Sequence, residues 1–299
     1  MKPVLLSTAA AVLAFAASAP AFAQNTPSVE IEHTVARVVV IVEDRTDIAV
    51  EVEQGTSALP AIQVVRERDG DVRISGGLGR RVGGISMGDR IRNCRAGPAD
   101  AVRPGDGASV EVRNIGRINV QDAPLIVIRS PRNVEVDAGG ATYGSVGRGA
   151  RSVELGSGGC GSWNVANTEG PVSLGIGGSG DIRAGSSSAL DINIGGSGTI
   201  VAGATGALEV SIGGSGDVAV ARINGPMEVS IGGSGDVAVR GGSAPTVEVS
   251  IAGSGDVRFD GTAGDVEVNI VGGGDVTIAR ATGSVSKSIM GGGNVNIGQ

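Results

Sequence analysis

The chain has 299 residues, of which 53 are glycine, 40% are hydrophobic and only 2% are aromatic, with a formal net charge of −7. Glycine at more than twice its usual share of about 7% would suit a flexible linker, but the apolar content is too high for one, and no strict Gly-X-Y period supports collagen. Residues 24–151 carry 17 Arg against 17 Asp plus Glu, whereas residues 152–299 carry 6 basic against 14 acidic side chains, so the electrostatic footprint of a nucleic-acid or anionic-membrane binder is missing.

The chain opens with Lys2, an apolar run from Val4 to Ala17 and the small-x-small triplet Ala21-Phe22-Ala23. This order predicts a signal peptide over residues 1–23 with cleavage before Gln24, because the run is too short for the roughly 20 residues of a spanning helix. No cysteine stands directly after that point and no later stretch is apolar enough to span, so an exported protein without a membrane span in its mature part is expected, periplasmic or at the cell surface.

Residues 24–135 read as an irregular β-rich lead-in. His33, the one histidine, is expected as a surface strand residue, and alone it cannot supply a nucleophilic triad. Between residues 76 and 107 lies an Arg/Gly-rich insertion holding Arg80, Arg81, Arg90, Arg92, Arg95 and Arg103, with Cys94 among them. It reads as an insertion loop, or as a contact for an acidic ligand such as a carboxylated polysaccharide, since guanidinium forks match carboxylates. Cys94 and Cys160 are the only cysteines. Export makes them a candidate disulfide, although spacing leaves two separate thiols equally open. One histidine and two thiols give no basis for a metal site, and no cofactor is expected.

Residues 136–299 are dominated by a repeat: Ile176-GGSGDI, Ile194-GGSGTI, Ile212-GGSGDV, Ile231-GGSGDV, Ile251-AGSGDV, Ile270-VGGGDV and Ile289-MGGGNV. The intervals are 18, 18, 19, 20, 19 and 19 residues. A degenerate copy, Leu155-GSGGCG, stands 21 residues before Ile176, and a fainter one starts at Val136. Within each unit apolar and polar residues alternate, as in Met227-Glu228-Val229-Ser230-Ile231, then Val237 and Val239 after the turn. Period two with β-branched residues between glycines predicts strands. A unit of about 19 residues cannot bury enough to stand alone, so it must stack on its neighbours. The expected fold is all-β, a parallel β-helix with coils of about 19 residues, continuous with the lead-in.

Gly213, Gly214 and Gly216 are expected to supply positive φ and close approach at the turn. The position after it, Asp181, Thr199, Asp217, Asp236, Asp256, Asp275 and Asn294, reads as a structural ladder whose side chains accept N–H bonds from their own turn, with Thr199 and Asn294 making the same bond uncharged. Lys287 occupies a nominally inward position of the last unit and reads as an end cap that discourages edge pairing.

The Ile-Gly-Gly-Ser-Gly-Asp-Val units resemble the auto-transporter adhesin head GIN domain family over roughly residues 35–295, most specifically from Ile176 to Val276. Val38 to Gly55 and Leu125 to Val136 resemble the family's less regular first strands. The resemblance implies a β-helix in an exported bacterial protein of adhesin-like character, with no catalytic residues to carry over. No C-terminal barrel sequence follows the last repeat, so self-translocation is not expected. The sequence reading is a non-enzymatic cell-envelope protein with an adhesive or structural role, whose partner is a surface or matrix polysaccharide or an envelope protein. The alternatives are a polysaccharide-active β-helix enzyme, using ladder carboxylates as acid and base, and a calcium-binding β-roll. The second fits less well because the β-roll motif recurs every nine residues, and here the opposite turns carry no carboxylate series.

Overall fold

The computed structural model describes residues 26–82, 85–98 and 101–298; the expected signal peptide lies outside them. It is a β-solenoid of about nine turns with roughly 19-residue spacing, as the repeat predicts. Each turn contributes one strand to each of two parallel sheets. The first sheet stacks residues 133–138, Ser152–Ser157, Pro171–Ile176, Ala189–Ile194, Ala207–Ile212 and Met227–Ile231, and runs on to Val285–Gly291. The second stacks residues 141–146, Cys160–Val165, Asp181–Ala184, Thr199–Thr205 and Asp217–Asn224, and runs on to Val295–Ile297.

The alternating residues point as expected. Val247, Val249, Ile251, Val257 and Phe259 in one coil, and Val266, Val268, Ile270, Val276 and Ile278 in the next, are all buried in one continuous core. Identical side chains sit in rows: Ile176, Ile194, Ile212, Ile231, Ile251, Ile270 and Ile289 pair in register. The degenerate copy corrects the sequence reading. Leu155 pairs with Leu174, and Ser157 takes the isoleucine position opposite Ile176, so the true interval is 19 residues and the apparent 21 was a slip of two. A period-two pattern cannot reveal such a slip, because moving by two keeps every side chain on its face.

The N-terminal end is closed differently. β1 (Val29–Val42) forms a first coil, pairing Val29–Ile31 with Val136–Ala138 and Thr34–Val40 with Gly140–Val146 across a bulge. His33 is that bulge, at φ 50°, with its ring against Gly79; it is not the plain strand residue expected, because the coil must turn its corner there. The chain then adds β2 (Ala49–Glu53), β3 (Gln63–Arg66) and β4 (Val72–Ser75). β4 lies parallel on the first half of β1, and antiparallel β3 covers it. Arg73 ties this edge to Glu30 at 2.8 Å and Glu67 at 3.1 Å.

Next come the hairpin β5 (Gly79–Val82) and β6 (Ile85–Asp89), then a three-stranded antiparallel sheet of β7 (Ile91–Arg95), β8 (Ser109–Val112) and β9 (Gly116–Asn119). β10 (Leu125–Ser130) returns to lie parallel on the second half of β1, with β2 antiparallel on its far edge. The Arg/Gly-rich insertion is therefore folded. Val110, Val112, Ile118 and Val120 pack on Val35, Ala141 and Tyr143, which point outward from the second sheet, making a small second core outside the tube.

Among the coils of the glycine repeat, length varies on one side only. Across the glycine turn the offset is conserved: Ile231 to Ile251 and Val237 to Val257 are both 20. On the return from the second sheet to the first it changes, from 18 at Thr205–Ile223 to 19 at Leu208–Met227, and from 19 at Asn224–Ser243 to 20 at Met227–Val247.

The turn explains its own glycines, though not by positive φ: none of Gly213, Gly214 and Gly216 has it, which corrects that expectation. What they supply is room. A Cβ on Gly214 would run into the Gly196 carbonyl of the preceding coil, and one on Gly216 into that of Gly198. Gly213 has no such neighbour, and later coils place Ala252, Val271 and Met290 at its position. Gly213→Ala is therefore expected to melt within about 0.5 kcal/mol of the parent, and Gly214→Ala about 1–3 kcal/mol lower, as overpacked sites do. Thermal melts of the two variants side by side check this.

Candidate binding surface

The ladder residues form one row at the start of the second sheet. Their donors differ from expectation. Asp217 accepts the N–H of Asp236 at 3.1 Å, Asp236 that of Asp256 at 2.9 Å, Asp256 that of Asp275 at 2.8 Å, and Asp275 that of Asn294 at 2.8 Å. Asp181 accepts the N–H of Thr199 at 3.3 Å. Each carboxylate thus binds the next coil and not its own turn, because the strand spacing of about 4.8 Å puts the next backbone within reach of a two-atom side chain. Thr199 does not replace the bond: the Asp217 N–H goes instead to the Gly198 carbonyl at 3.2 Å. Lys287 lies in the inward row opposite Val268, and its Nζ donates to the Val295 carbonyl at 3.2 Å, reaching across to the opposite sheet.

Cys94 on β7 and Cys160 on the second sheet form a disulfide with their Cα atoms 6.3 Å apart. Cys160 stands at the turn position that Ser179 fills in the next coil, so the bridge fastens the outer three-stranded sheet to the wall of the tube. Arg90 is taken up locally, donating to the Gly77 carbonyl at 2.9 Å, while Arg92, Arg95 and Arg103 are exposed. Arg80 and Arg81 lie outside the residues whose side chains are described.

A feature that the sequence reading passed over runs along the outside of the first sheet. In-register pairing stacks Glu135, Glu154, Ser173, Asp191, Glu209, Glu228, Glu248, Glu267 and Ser286. Seven carboxylates thus share one ridge, and among the described residues none of them pairs with a cation. Small residues flank the ridge: Asn193, Ser211, Ser230 and Ser250 on one side, Ala189, Ala207 and Thr246 on the other. The signal was available, since Glu209, Glu228, Glu248 and Glu267 each stand three residues before the repeat isoleucine.

The ridge bears the electrostatic cost expected of stacked like charges. Burial pushes Glu209 above its ordinary value, and Asp191 and Glu228 push it further. Burial raises Asp191 too, and it raises Glu135, helped by Glu154 and Asp137. A carboxyl that holds its proton more tightly folded than unfolded adds stability that is complete below the unfolded value and lost as pH rises through the folded one. Melting temperature is therefore expected to climb as pH falls from 7 toward the carboxylate range, and to climb less in Glu209→Gln. Asp265, held low by two bonds from Ser284, acts in the opposite direction at more acid pH. An equal climb in parent and variant would place the effect elsewhere.

Among the described residues no three His, Cys, Asp or Glu side chains group closely enough to hold a metal ion, and no helix is long and apolar enough to cross a membrane. Tyr143, Trp163 and Phe259 are at most 4% exposed, so these rings are not offered for stacking on sugars. A comparison with curated proteins found no match. Residues 207–298, the last five coils, match the model of the family described as "Putative auto-transporter adhesin, head GIN domain", which is the family that the repeats resemble.

Proposed function

We propose that this is an exported, non-enzymatic, adhesin-like binding protein of the cell envelope, with residues 1–23 as its removed leader. The observation that carries the reading is the carboxylate ridge, flanked mostly by small side chains. It is a rigid array that repeats one contact every 4.8 Å or so, the arrangement that favours multivalent attachment to a repetitive partner. The family match over residues 207–298 supports the same role. The ladder aspartates are committed to backbone N–H groups, which argues for scaffold over acid–base chemistry. The partner is expected to present cationic groups.

The test is adhesion of the purified protein to envelope and matrix fractions, with Glu209→Gln/Glu228→Gln/Glu248→Gln as comparison. Capture that weakens with salt and is lost in the triple variant, itself melting no lower than the parent, is the expected result. Release of reducing ends from any polysaccharide would overturn the non-enzymatic reading.

A further inference from the structure

Beyond the ridge, on the opposite wall of the tube, the outer three-stranded sheet and the second sheet enclose a cavity of about 280 Å³ beside the Cys94–Cys160 bridge. That is close to the lower end of small-molecule sites, at roughly 300 Å³. Successive coils line it with Tyr143, Ser162, Asn164 and Arg183, and the loop after β7 adds Arg103 and a wall of Pro98 and Pro104.

The charges in this cavity are not equally free. Of its two carboxylates, Asp106 accepts the N–H of Arg103 at 3.2 Å and Asp181 that of Thr199 at 3.3 Å. Both hold the backbone. Among the described residues, the guanidinium groups of Arg103 and Arg183 have no hydrogen-bond or ion-pair partner, and neither do the side chains of Ser162 and Asn164. Tyr143 is the sharper case. The residue is only 4% exposed and its hydroxyl has no hydrogen-bond partner among the described residues, but the oxygen is not sealed off and opens on the cavity. Burial pushes that phenol up to about 12, so it remains a donor at any physiological pH. Two uncommitted guanidinium forks, a donor phenol and short hydroxyl and amide groups, beside a proline wall, match a ring that carries one carboxylate and several hydroxyls.

We infer that this cavity binds one uronate-type sugar residue, its carboxylate between Arg103 and Arg183 and its hydroxyls on Tyr143, Ser162 and Asn164. The site is separate from the carboxylate ridge, and its failure would leave that reading untouched.

The experiment is titration of the purified protein with a galacturonate trisaccharide, followed by calorimetry and by amide shifts, with a glucose trisaccharide and a sulfated, uronate-free trisaccharide in parallel. Binding is expected for the uronate alone, with shifts at residues 143, 162, 164 and 183. Affinity is expected to fall tenfold or more in Arg183→Ala and in Arg103→Lys, which keeps the charge and loses the fork. Tyr143→Phe is expected to weaken binding several-fold and to melt as the parent does, since its hydroxyl has no partner to lose. Absence of heat and of shifts at millimolar uronate, or undiminished affinity in Arg183→Ala and Arg103→Lys, would overturn the assignment. Equal affinity for the sulfated sugar would overturn the carboxylate as the recognised group.

Discussion

Replacing Trp163 by alanine is expected to cost about 3–5 kcal/mol, the range for emptying a fully buried aromatic site. Trp163 is 0% exposed and points into the tube. The indole fits because its neighbour in the preceding coil is Gly144; a Cβ there would overlap the ring. Its Nε1 donates to Thr142 Oγ1 at 3.3 Å, so truncation also leaves that hydroxyl unpaired. The coils above and below are held by their own ladders and cannot collapse into the void. The loss is expected as a lowered melting temperature, together with faster amide exchange confined to the neighbouring coils, since a solenoid couples only nearest neighbours. A drop below about 1 kcal/mol would mean that the wall closes around the missing ring.

The second large effect is at the bridge. Replacing Cys94 and Cys160 together by serine opens a loop of 66 residues, which the chain-entropy account values at about 4 kcal/mol. The double variant is the proper comparison, because a single one leaves a reactive thiol. Here the loss has a direction. The tube keeps its ladders, whereas the small core of Val110, Val112 and Ile118 against Val35, Ala141 and Tyr143 loses the covalent link to its support. Amide exchange is expected to quicken over β7 to β9 well before the repeats, and melts should separate into two steps. Identical melts with and without the bridge would show that the outer sheet is held by its packing alone.

How much of this was legible in the sequence follows from what each pattern encodes. The isoleucine interval and the period-two alternation fixed coil size and side-chain direction, because stacking demands register and a pleat demands alternation. The same alternation concealed the two-residue slip at Leu155, where Ser157 fills an inward place that hydrophobicity alone assigns to an aliphatic. The folded insertion and the closing strands β2, β3 and β4 escaped because their pairings are long-range and unrepeated: β10 meets β2 across more than seventy residues. The carboxylate ridge was encoded as plainly as the isoleucines. It stayed unseen because outward polar residues look alike until the coils are superposed.

The one-sided variation in coil length has a consequence for how such a tube can change. The glycine corner is a rigid spine, where carbonyls of successive windings occupy the space a methyl group would need. The return corner near Asn224 and Ser243 is a permissive margin that already absorbs single-residue insertions without disturbing either sheet. A foreign peptide grafted there would decorate the tube, whereas the same graft at Gly214 would split it. Gene duplication of a whole winding would lengthen the array while confining new ornament to that margin.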